Sequence, residues 1–278
     1  MQQDEQMKRK QAMMKAQDEE IKEKLKEFKN KILVMSGKGG VGKSTVAAYL
    51  AVGLARKGFQ VGLMDVDLHG PSIPRLLGLK GEIVSSPGLK KGIPLSYLPN
   101  MQVMSIEALL GDKDTATIWR GPLKIGVIKQ FINDIAWSNS DYLIIDCPPG
   151  TGDEPLTIAQ TIPDTKALIV TTPQEISLSD VRKSINFCHQ VNMDIIGLVE
   201  NMSGLTCPYC GKTIDLFKTN GGMLTAKKAG LTLLGSLPLE PEIVTEGDIG
   251  SVAWMDNKDM PYTKSFATIV DTVADFTR

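Results

Sequence analysis

The sequence has few cysteines, few aromatic residues, almost no net charge and no long apolar run. Four cysteines in 278 residues are too few for a disulfide framework, so a reducing cytoplasm is the expected location. Aromatic residues make up 5% of the chain and the formal net charge is −1, which disfavours nucleic-acid binding. No stretch approaches the roughly 18 apolar residues of a membrane span. The composition indicates a cytoplasmic globular protein that binds neither nucleic acid nor membrane.

Residues 1–30 differ in composition from the rest of the chain. Half of them are charged, and none is glycine or proline. Ile21, Leu25 and Phe28 recur at helical spacing and predict one narrow apolar stripe. We therefore divide the chain into a charged helical arm, residues 1–30, and a second unit, residues 31–278. The arm is either a solvated helix whose last turns dock on the domain or a partner-binding segment.

From residue 31 onward, apolar strands alternate with amphipathic helices. The expected strands are 31–36, 60–65, 101–106, 142–146, 167–172, 195–200 and 231–236, and the expected helices are 44–57, 122–137, 178–191 and 262–276. Strands that are apolar throughout are typical of a parallel sheet covered on both faces. The sequence therefore predicts a single α/β domain with a mostly parallel sheet of about seven or eight strands. Residues 80–100 and 203–222 interrupt the pattern and are predicted to be inserted loops.

The strongest motif is a glycine-rich loop between the first strand and the helix that follows it. It satisfies G-x-x-x-x-G-K-[ST], the P-loop pattern, in the strand–loop–helix context that this motif requires. Its glycines let backbone N–H groups surround an anion, and the helix N-terminus favours negative charge. The lysine can reach the β- and γ-phosphates, and the serine hydroxyl can bind Mg²⁺. The predicted nucleotide-binding residues are Gly37, Lys38, Gly39, Gly40, Val41, Gly42, Lys43, Ser44 and Thr45.

Two acidic strand ends are expected beside this loop. Asp65 and Asp67 close the second strand, and Asp146 closes the fourth. The carboxyl edge of a parallel sheet carries the ligand crevice, so these carboxylates should meet the phosphate loop. Buried carboxylates without a cation are costly, which argues against a purely structural role for all three.

A second lysine in the loop, Lys38, resembles the signature lysine of the deviant Walker A motif. This motif, K-G-G-x-G-K-[ST], is typical of the MinD, ParA and nitrogenase-iron-protein class of ATPases. The resemblance implies a homodimer in which Lys38 reaches the nucleotide of the other subunit. It also implies that Asp67 orients the attacking water and that Asp146 and Ser44 hold Mg²⁺ with support from Asp65. The expected catalytic residues are Lys38, Lys43 and Asp67.

The same resemblance assigns two later positions to the nucleotide base. Asn201 ends the sixth strand and matches the asparagine that reads adenine in this class. Leu237–Glu242 resembles the loop that closes over the base, and Pro238 and Leu239 are its expected contact residues. Both features favour ATP over GTP.

Cys207 and Cys210 form a C-x-x-C pair that is followed by Gly211. Such a glycine lets backbone amides turn toward the sulfurs. One pair supplies two thiolates, whereas tetrahedral zinc and iron–sulfur clusters take four. A second copy of the chain would supply the other two at a symmetric dimer axis. The residues leave open an iron–sulfur cluster, a zinc ion in the same place, and a redox or inert cysteine pair.

Taken together, these motifs resemble the Mrp/ApbC family over about residues 31–276. The resemblance also rests on Gly70-Pro71-Ser72 and on residues 119–122, 146–153 and 200–202. It implies a slow P-loop ATPase that holds a [4Fe–4S] cluster between two subunits, through Cys207 and Cys210, and passes it to apo iron–sulfur proteins. The competing hypotheses are a MinD- or ParA-like positioning ATPase, which leaves the cysteines unused, and the same ATPase with a structural zinc.

Overall fold

The structure is a computed structural model that describes residues 16, 18–67, 70–80, 92–108, 121–207, 209–210, 212–217 and 220–277. Some residues used in the sequence interpretation lie outside these ranges, namely residues 1–15 and 17 of the arm, residues 81–91 and 218–219 of the predicted loops, Trp119, Arg120, Pro208 and Gly211. The first helix of the described residues, α1, covers residues 18–25.

Eight strands form one sheet. They are β1 (Phe28–Met35), β2 (Val61–Asp65), β3 (Leu95–Leu98), β4 (Met101–Ser105), β5 (Ser140–Asp146), β6 (Thr165–Thr171), β7 (Ile195–Glu200) and β10 (Leu233–Ser236). Their order is β10-β7-β6-β1-β5-β2-β4-β3, and neighbours run parallel except for the edge strand β3, which is antiparallel to β4. Two short strands, β8 (Leu205–Thr206) and β9 (Thr213–Ile214), form a separate hairpin. The predicted α/β fold with a mostly parallel sheet is confirmed.

Helices cover both faces of the sheet because its central strands are apolar on both sides. The helices are α2 (Lys43–Arg56), α3 (Ile73–Leu76), α4 (Gly121–Asn133), α5 (Asp153–Thr161), α6 (Glu175–Gln190), α7 (Gly221–Ala229), α8 (Pro241–Ile249) and α9 (Pro261–Phe276). Ile32 and Val34 of β1 pack in the core that contains α2 and α9. Leu33 and Met35 point to the opposite face, in the core that contains α4 and α6. This alternation is the strand period of two.

The predicted loops contain secondary structure that the sequence analysis missed. Residues 80–100 include β3, which pairs with β4 across a tight turn. Residues 203–222 include the β8–β9 hairpin and the start of α7. Strands of two to four residues are too short to show a periodic pattern, so the glycine- and proline-rich composition around them dominated the prediction.

Several element boundaries also differ from the prediction. β1 begins at Phe28 rather than at residue 31, and α4 ends at Asn133 rather than at residue 137. Trp137 is nevertheless buried, because its indole N–H donates to the carbonyl of Phe131 (2.9 Å) and its ring packs edge-on against Phe28. The apolar spacing therefore identified core residues correctly but extended the helix too far.

The last part of the N-terminal segment is packed on the domain. Ile21 and Leu25 of α1 and Phe28 are buried in the same core as α4. Lys129 of α4 also forms an ion pair with Asp18 (2.6 Å). The expected apolar stripe therefore docks on the domain. The division of the chain at residue 30 stays a prediction, although β1 already begins before it.

Candidate nucleotide and cysteine sites

The candidate nucleotide site lies at the carboxyl edge of the sheet, where β1, β2 and β5 end side by side. Asp65 of β2 pairs in register with Asp146 of β5. The backbone N–H of Val66 donates to the carbonyl of Asp146 (2.9 Å), and that of Gly150 donates to the carbonyl of Ser36 (2.7 Å). The parallel pairing thus brings both acidic strand ends to the loop that follows β1.

The phosphate loop turns directly from β1 into α2. Gly42 has a φ of 82°, in the left-handed region that favours glycine. A Cβ atom at Gly42 would collide with the side-chain amide of Asn201, and one at Gly37 would collide with the backbone of Asp180 on α6. Neighbouring elements therefore leave no room for side chains at these two positions. In a loop without side chains, the backbone N–H groups can surround phosphate oxygens.

Lys43 begins α2, and its ammonium group is buried among acidic side chains. The ammonium donates a hydrogen bond to Asp146 Oδ1 and lies 3.9 Å from Asp67 Oδ2. It also donates to the hydroxyl of Ser44 (3.1 Å). Burial alone lowers the pKa of Lys43, but the attraction and hydrogen bond of Asp146 outweigh burial and raise the pKa. The lysine therefore stays charged at the site expected for the terminal phosphates.

The carboxylate of Asp146 fits an oxygen-ligand site for Mg²⁺. It is fully buried, and its Oδ2 atom has no hydrogen-bond partner among the residues that the structure describes. Burial raises the pKa of Asp146, and the charge of Lys43 opposes that rise. A buried acceptor left open in this way is rare in folded proteins. Oxygen atoms of one or two carboxylates are typical Mg²⁺ ligands, so a bound cation would satisfy this oxygen.

Asp65 lies next to this position, but both of its oxygens accept protein hydrogen bonds. The donors are the backbone N–H of Asp67 (3.1 Å) and the hydroxyl of Ser105 (3.0 Å). Burial and the nearby Asp146 raise the pKa of Asp65 to about 8. This geometry fits a supporting role that orients Asp67. Ser105 was missed by the sequence analysis, and its polar side chain at the end of β4 was the available signal.

A cavity of about 210 Å³ adjoins the phosphate loop. Its lining includes Thr45, Asn201, Pro238 and Leu239, so the structure brings the expected base-site residues together. The amide nitrogen of Asn201 donates to the carbonyl of Val41 (2.9 Å) and ties the end of β7 to the loop. The cavity lining also includes residues that the sequence did not single out, among them Tyr49 and Asp248.

Lys38 lies on the exposed side of the phosphate loop. Its backbone carbonyl accepts a hydrogen bond from the hydroxyl of Ser36 (3.0 Å). The side chain forms no ion pair within the described part of the chain. An exposed lysine can reach a second molecule, and its expected role at the nucleotide of a partner subunit stays a prediction.

The cysteine pair lies in the turn of the β8–β9 hairpin. Cys207 is half-buried and Cys210 is exposed. The backbone N–H of Cys207 donates to the carbonyl of Lys212 (2.9 Å) and closes the turn. Hydrogen bonds from the backbone N–H groups of Tyr209 and Cys210, together with the Cys210 thiol, lower the pKa of Cys207. The turn therefore favours a thiolate, which is the form of cysteine that binds metal.

The other two cysteines belong to the core. Cys147 and Cys188 are fully buried, and burial raises the pKa of both, that of Cys188 to about 12. No group of three or more histidine, cysteine, aspartate or glutamate side chains among the described residues could hold a metal ion. The described part of one chain thus offers two accessible thiols, which is half of a four-thiolate site.

Relatives of this chain carry iron–sulfur names. It is 47% identical over 241 residues to an iron–sulfur cluster carrier protein of Methanocaldococcus jannaschii, covering 86% of this chain and 82% of the relative. It is 49% identical over 223 residues to a protein of Dictyostelium discoideum named cytosolic Fe-S cluster assembly factor NUBP2 homolog, covering 78% and 83%.

Solved structures share the fold. A nucleotide-binding protein of Archaeoglobus fulgidus in complex with ADP superposes with a TM-score of 0.76 at 40% identity, covering 90% of this chain and 96% of that one. The cell division ATPase MinD of Pyrococcus furiosus superposes with a TM-score of 0.65 at 24% identity, covering 89% and 99%, and shows the fold alone. The NUBPL iron-transfer P-loop NTPase family model matches residues 27–274. The chain is therefore a member of the NUBPL iron-transfer P-loop NTPase family.

Proposed function

We propose that this protein is an ATP-hydrolysing iron–sulfur cluster carrier. The observation that carries the proposal is the presence, in one chain, of two features. One is a phosphate loop with a buried, charged lysine, and the other is an accessible cysteine pair in which the pKa of the Cys207 thiol is lowered. The printed names of its relatives, iron–sulfur cluster carrier and cytosolic Fe-S cluster assembly factor, support the same function. The latter name and the cysteine usage favour a cytosolic location.

The nucleotide is assigned to the phosphate loop and the adjoining cavity. Lys43 would contact the terminal phosphates, and Asn201, Pro238 and Leu239 would surround the adenine. Ser44 and Asp146 would hold Mg²⁺, supported by Asp65, and the bound ion would neutralise charge on the phosphate oxygens. Three further assignments are catalytic: Asp67 orients the attacking water, Lys43 binds the charge that develops on the phosphates, and Lys38 approaches from the partner subunit.

The cargo is assigned to Cys207 and Cys210. Two thiolates from each of two chains complete the four ligands of a [4Fe–4S] cluster, which makes the functional unit a homodimer. Transfer is then a ligand exchange in which the thiolates of an apo iron–sulfur protein replace those of the carrier. No electrons need to move in this step, and the cluster leaves intact.

The proposal includes neither membrane nor nucleic-acid partners. No helix among the residues that the structure describes is long and apolar enough to cross a bilayer. The resemblance to MinD at 24% identity concerns the fold alone. A function as a positioning ATPase would also leave the cysteine pair without a role. Zinc at the same four thiolates is the chemical alternative for the cargo.

The test is anaerobic reconstitution with iron and sulfide, followed by Mössbauer spectroscopy and gel filtration. We expect about four irons per dimer with a [4Fe–4S] signature. The double variant Cys207→Ala/Cys210→Ala should lose the iron and still bind ATP. Cys188→Ala, which removes a buried thiol elsewhere, is the matched control and should load normally.

Two outcomes would contradict the proposal. Unchanged iron content in the double variant would place the cluster at other residues. A wild-type protein that retains zinc through purification and accepts no cluster would make the cysteine pair a structural staple.

A further inference from the structure

A buried carboxylate, Glu200, holds both ends of the segment that carries the cysteine pair. Glu200 is the last residue of β7 and only 1% exposed. The Ser203 hydroxyl, where the segment leaves the sheet, donates to Oε1 (2.6 Å). The backbone N–H of Gly222, where the segment returns and α7 begins, donates to Oε2. The Ser236 hydroxyl on β10 lies 3.4 Å from Oε1.

The start of α7 is built for this contact. A Cβ atom at Gly222 would lie 2.8 Å from Glu200 Oε2, and one at Gly221 would lie 2.7 Å from the Leu178 side chain. Only glycines let the helix approach the carboxylate and α6 so closely. The N-terminal end of a helix favours a negative charge, which helps to offset the cost of burying a carboxylate that has no ion pair within the described part of the chain.

The same point of the fold is tied to the nucleotide site. Asn201, the next residue, donates to Val41 in the phosphate loop (2.9 Å). The backbone carbonyl of Glu200 accepts from the N–H of Leu237 (2.8 Å), at the start of the loop assigned to the base. The same loop also contacts the segment that leads to the β8–β9 hairpin, because the N–H of Leu239 donates to the carbonyl of Gly204 (2.8 Å).

We propose that Glu200 is a positioning residue that transmits the nucleotide state of the phosphate loop to Cys207 and Cys210. Asn201 and Glu200 are adjacent on one rigid strand end, so a shift imposed by nucleotide on one reaches the other. Because Glu200 holds Ser203 and Gly222 together, such a shift moves both ends of the cysteine segment at once. This inference rests on the proposed nucleotide site, but its test needs no cluster.

The test is hydrogen–deuterium exchange on the full, metal-free chain with Mg-ATP, with Mg-ADP and without nucleotide. In the wild type we expect ATP to change exchange in residues 203–207 and 212–217 by about fivefold or more, the usual size of coupling between sites. Glu200→Gln keeps the shape of the side chain but replaces one of its two accepting oxygens with an N–H₂ group, which cannot accept a hydrogen bond. We expect it to bind ATP with unchanged affinity and to lose the nucleotide-dependent difference.

Two further variants separate positioning from simple stability. Ser203→Ala removes one contact on the hairpin side and should reduce the difference without abolishing ATP binding, and it serves as the test if Glu200→Gln does not fold. Glu175→Gln makes the same change at the exposed N-terminus of α6 and should leave the difference intact. If Glu200 has only a structural role, Glu200→Gln should raise exchange equally with and without ATP and preserve the nucleotide-dependent difference.

The inference is overturned if ATP leaves hairpin exchange unchanged in the wild type, or if Glu200→Gln retains the full difference. Cluster loading is measured separately on the same proteins. Loss of the difference in Glu200→Gln, in a protein that never accepts a cluster, would support the coupling and remove the carrier function. If Glu200→Gln retains the nucleotide-dependent difference and the protein accepts a cluster normally, the coupling is contradicted and the carrier function is supported.

Discussion

At the scale of single residues, Lys43 decides the electrostatics of the nucleotide site. Its ammonium is bound to Asp146 and lies within 3.9 Å of Asp67, and the attraction of Asp146 outweighs burial and raises its pKa. A phosphate anion in the loop would take over this interaction while Mg²⁺ took the carboxylate. Binding of the proposed ligands would thus rearrange the charge pair between Lys43 and Asp146.

Replacing Lys43 by methionine should weaken ATP binding about 30-fold or more. Removing one partner of a buried, hydrogen-bonded charge pair costs about 2–5 kcal/mol, and each 1.4 kcal/mol is tenfold in affinity. Isothermal titration calorimetry measures the change. Lys57→Met, at an exposed lysine paired with Asp271 just after α2, is the control. An affinity within threefold of wild type in Lys43→Met would remove the lysine from the phosphate site.

The four thiols should differ in their reaction with iodoacetamide. In the native protein at neutral pH, Cys207 and Cys210 should react, whereas Cys147 and Cys188 are buried with raised pKa values and should react only after unfolding. The pKa of Cys207 is lowered, so its thiolate forms at a lower pH than that of an ordinary cysteine. As the pH is lowered, the labelling rate of Cys207 should therefore begin to fall at a lower pH than the labelling rate of a free cysteine.

Mass spectrometry of protein labelled across a pH series measures each site separately. A short cysteine-containing peptide is the reference for the ordinary profile. A Cys207 profile that coincides with the reference would show that the backbone N–H groups of the turn do not stabilise the thiolate in solution.

At the scale of elements, α1 is part of the folded unit rather than a free arm. Its apolar side packs on α4 and β1, and its acidic Asp18 pairs with Lys129. Burial of large aliphatic side chains is the dominant stabilising contribution at such a contact. Charged residues elsewhere on the helix face solvent, which explains how a segment rich in charge can still dock.

Leu25→Ala should lower the free energy of unfolding by about 2–4 kcal/mol, the usual cost of a large-to-small change in a packed core. Leu25 is 1% exposed. Urea denaturation followed by circular dichroism gives the value. Lys26→Ala, at the neighbouring exposed lysine paired with Glu23, should change it by less than about 0.5 kcal/mol. Equal stabilities for the two variants would show that α1 does not dock in solution.

At the scale of the whole molecule, both proposed sites would take residues from a second chain. The described residues offer two accessible thiols, and Lys38 is exposed on the phosphate loop. The proposed symmetric dimer would explain both features if the same approach of two chains brought Lys38 to the partner's nucleotide and the two hairpins to the cluster.

Two inactive variants should restore activity when mixed. Lys38→Ala and Asp67→Asn each lack one of the proposed catalytic groups and should hydrolyse ATP poorly alone. In a mixed dimer, the site in the Lys38→Ala chain has its own Asp67 and receives an intact lysine from its partner. Equal mixing should therefore recover about a quarter of wild-type hydrolysis, because half the dimers are mixed and one of their two sites is complete.

This experiment measures phosphate release after the variants are mixed at different ratios. Mixing each variant with itself sets the background. If the mixture stays at that background while gel filtration shows dimers, Lys38 acts within its own subunit and the sandwich arrangement is wrong.

Comparison of the sequence with the structure shows which signals were sufficient. The long apolar strands were predicted correctly because burial on both faces requires apolar residues throughout each strand. The glycine-rich loop was predicted correctly because its backbone conformation requires glycine. The acids at strand ends were placed together by a general rule of parallel sheets. Ser105, β3 and the β8–β9 hairpin were missed because short strands and single polar residues carry little local pattern.

The sequence by itself determined the fold class, the phosphate loop and the two thiols, since periodic burial and motif spacing specify these locally. Only the tertiary structure decided that both oxygens of Asp65 accept hydrogen bonds, from Asp67 and Ser105, whereas one oxygen of Asp146 has no donor among the described residues. It alone placed Ser203 and Gly222 on one buried carboxylate. The contacts of Ser105 with Asp65 and of Gly222 with Glu200 join residues that are far apart along the chain. Their geometry depends on how strands and helices pack, which no local pattern encodes.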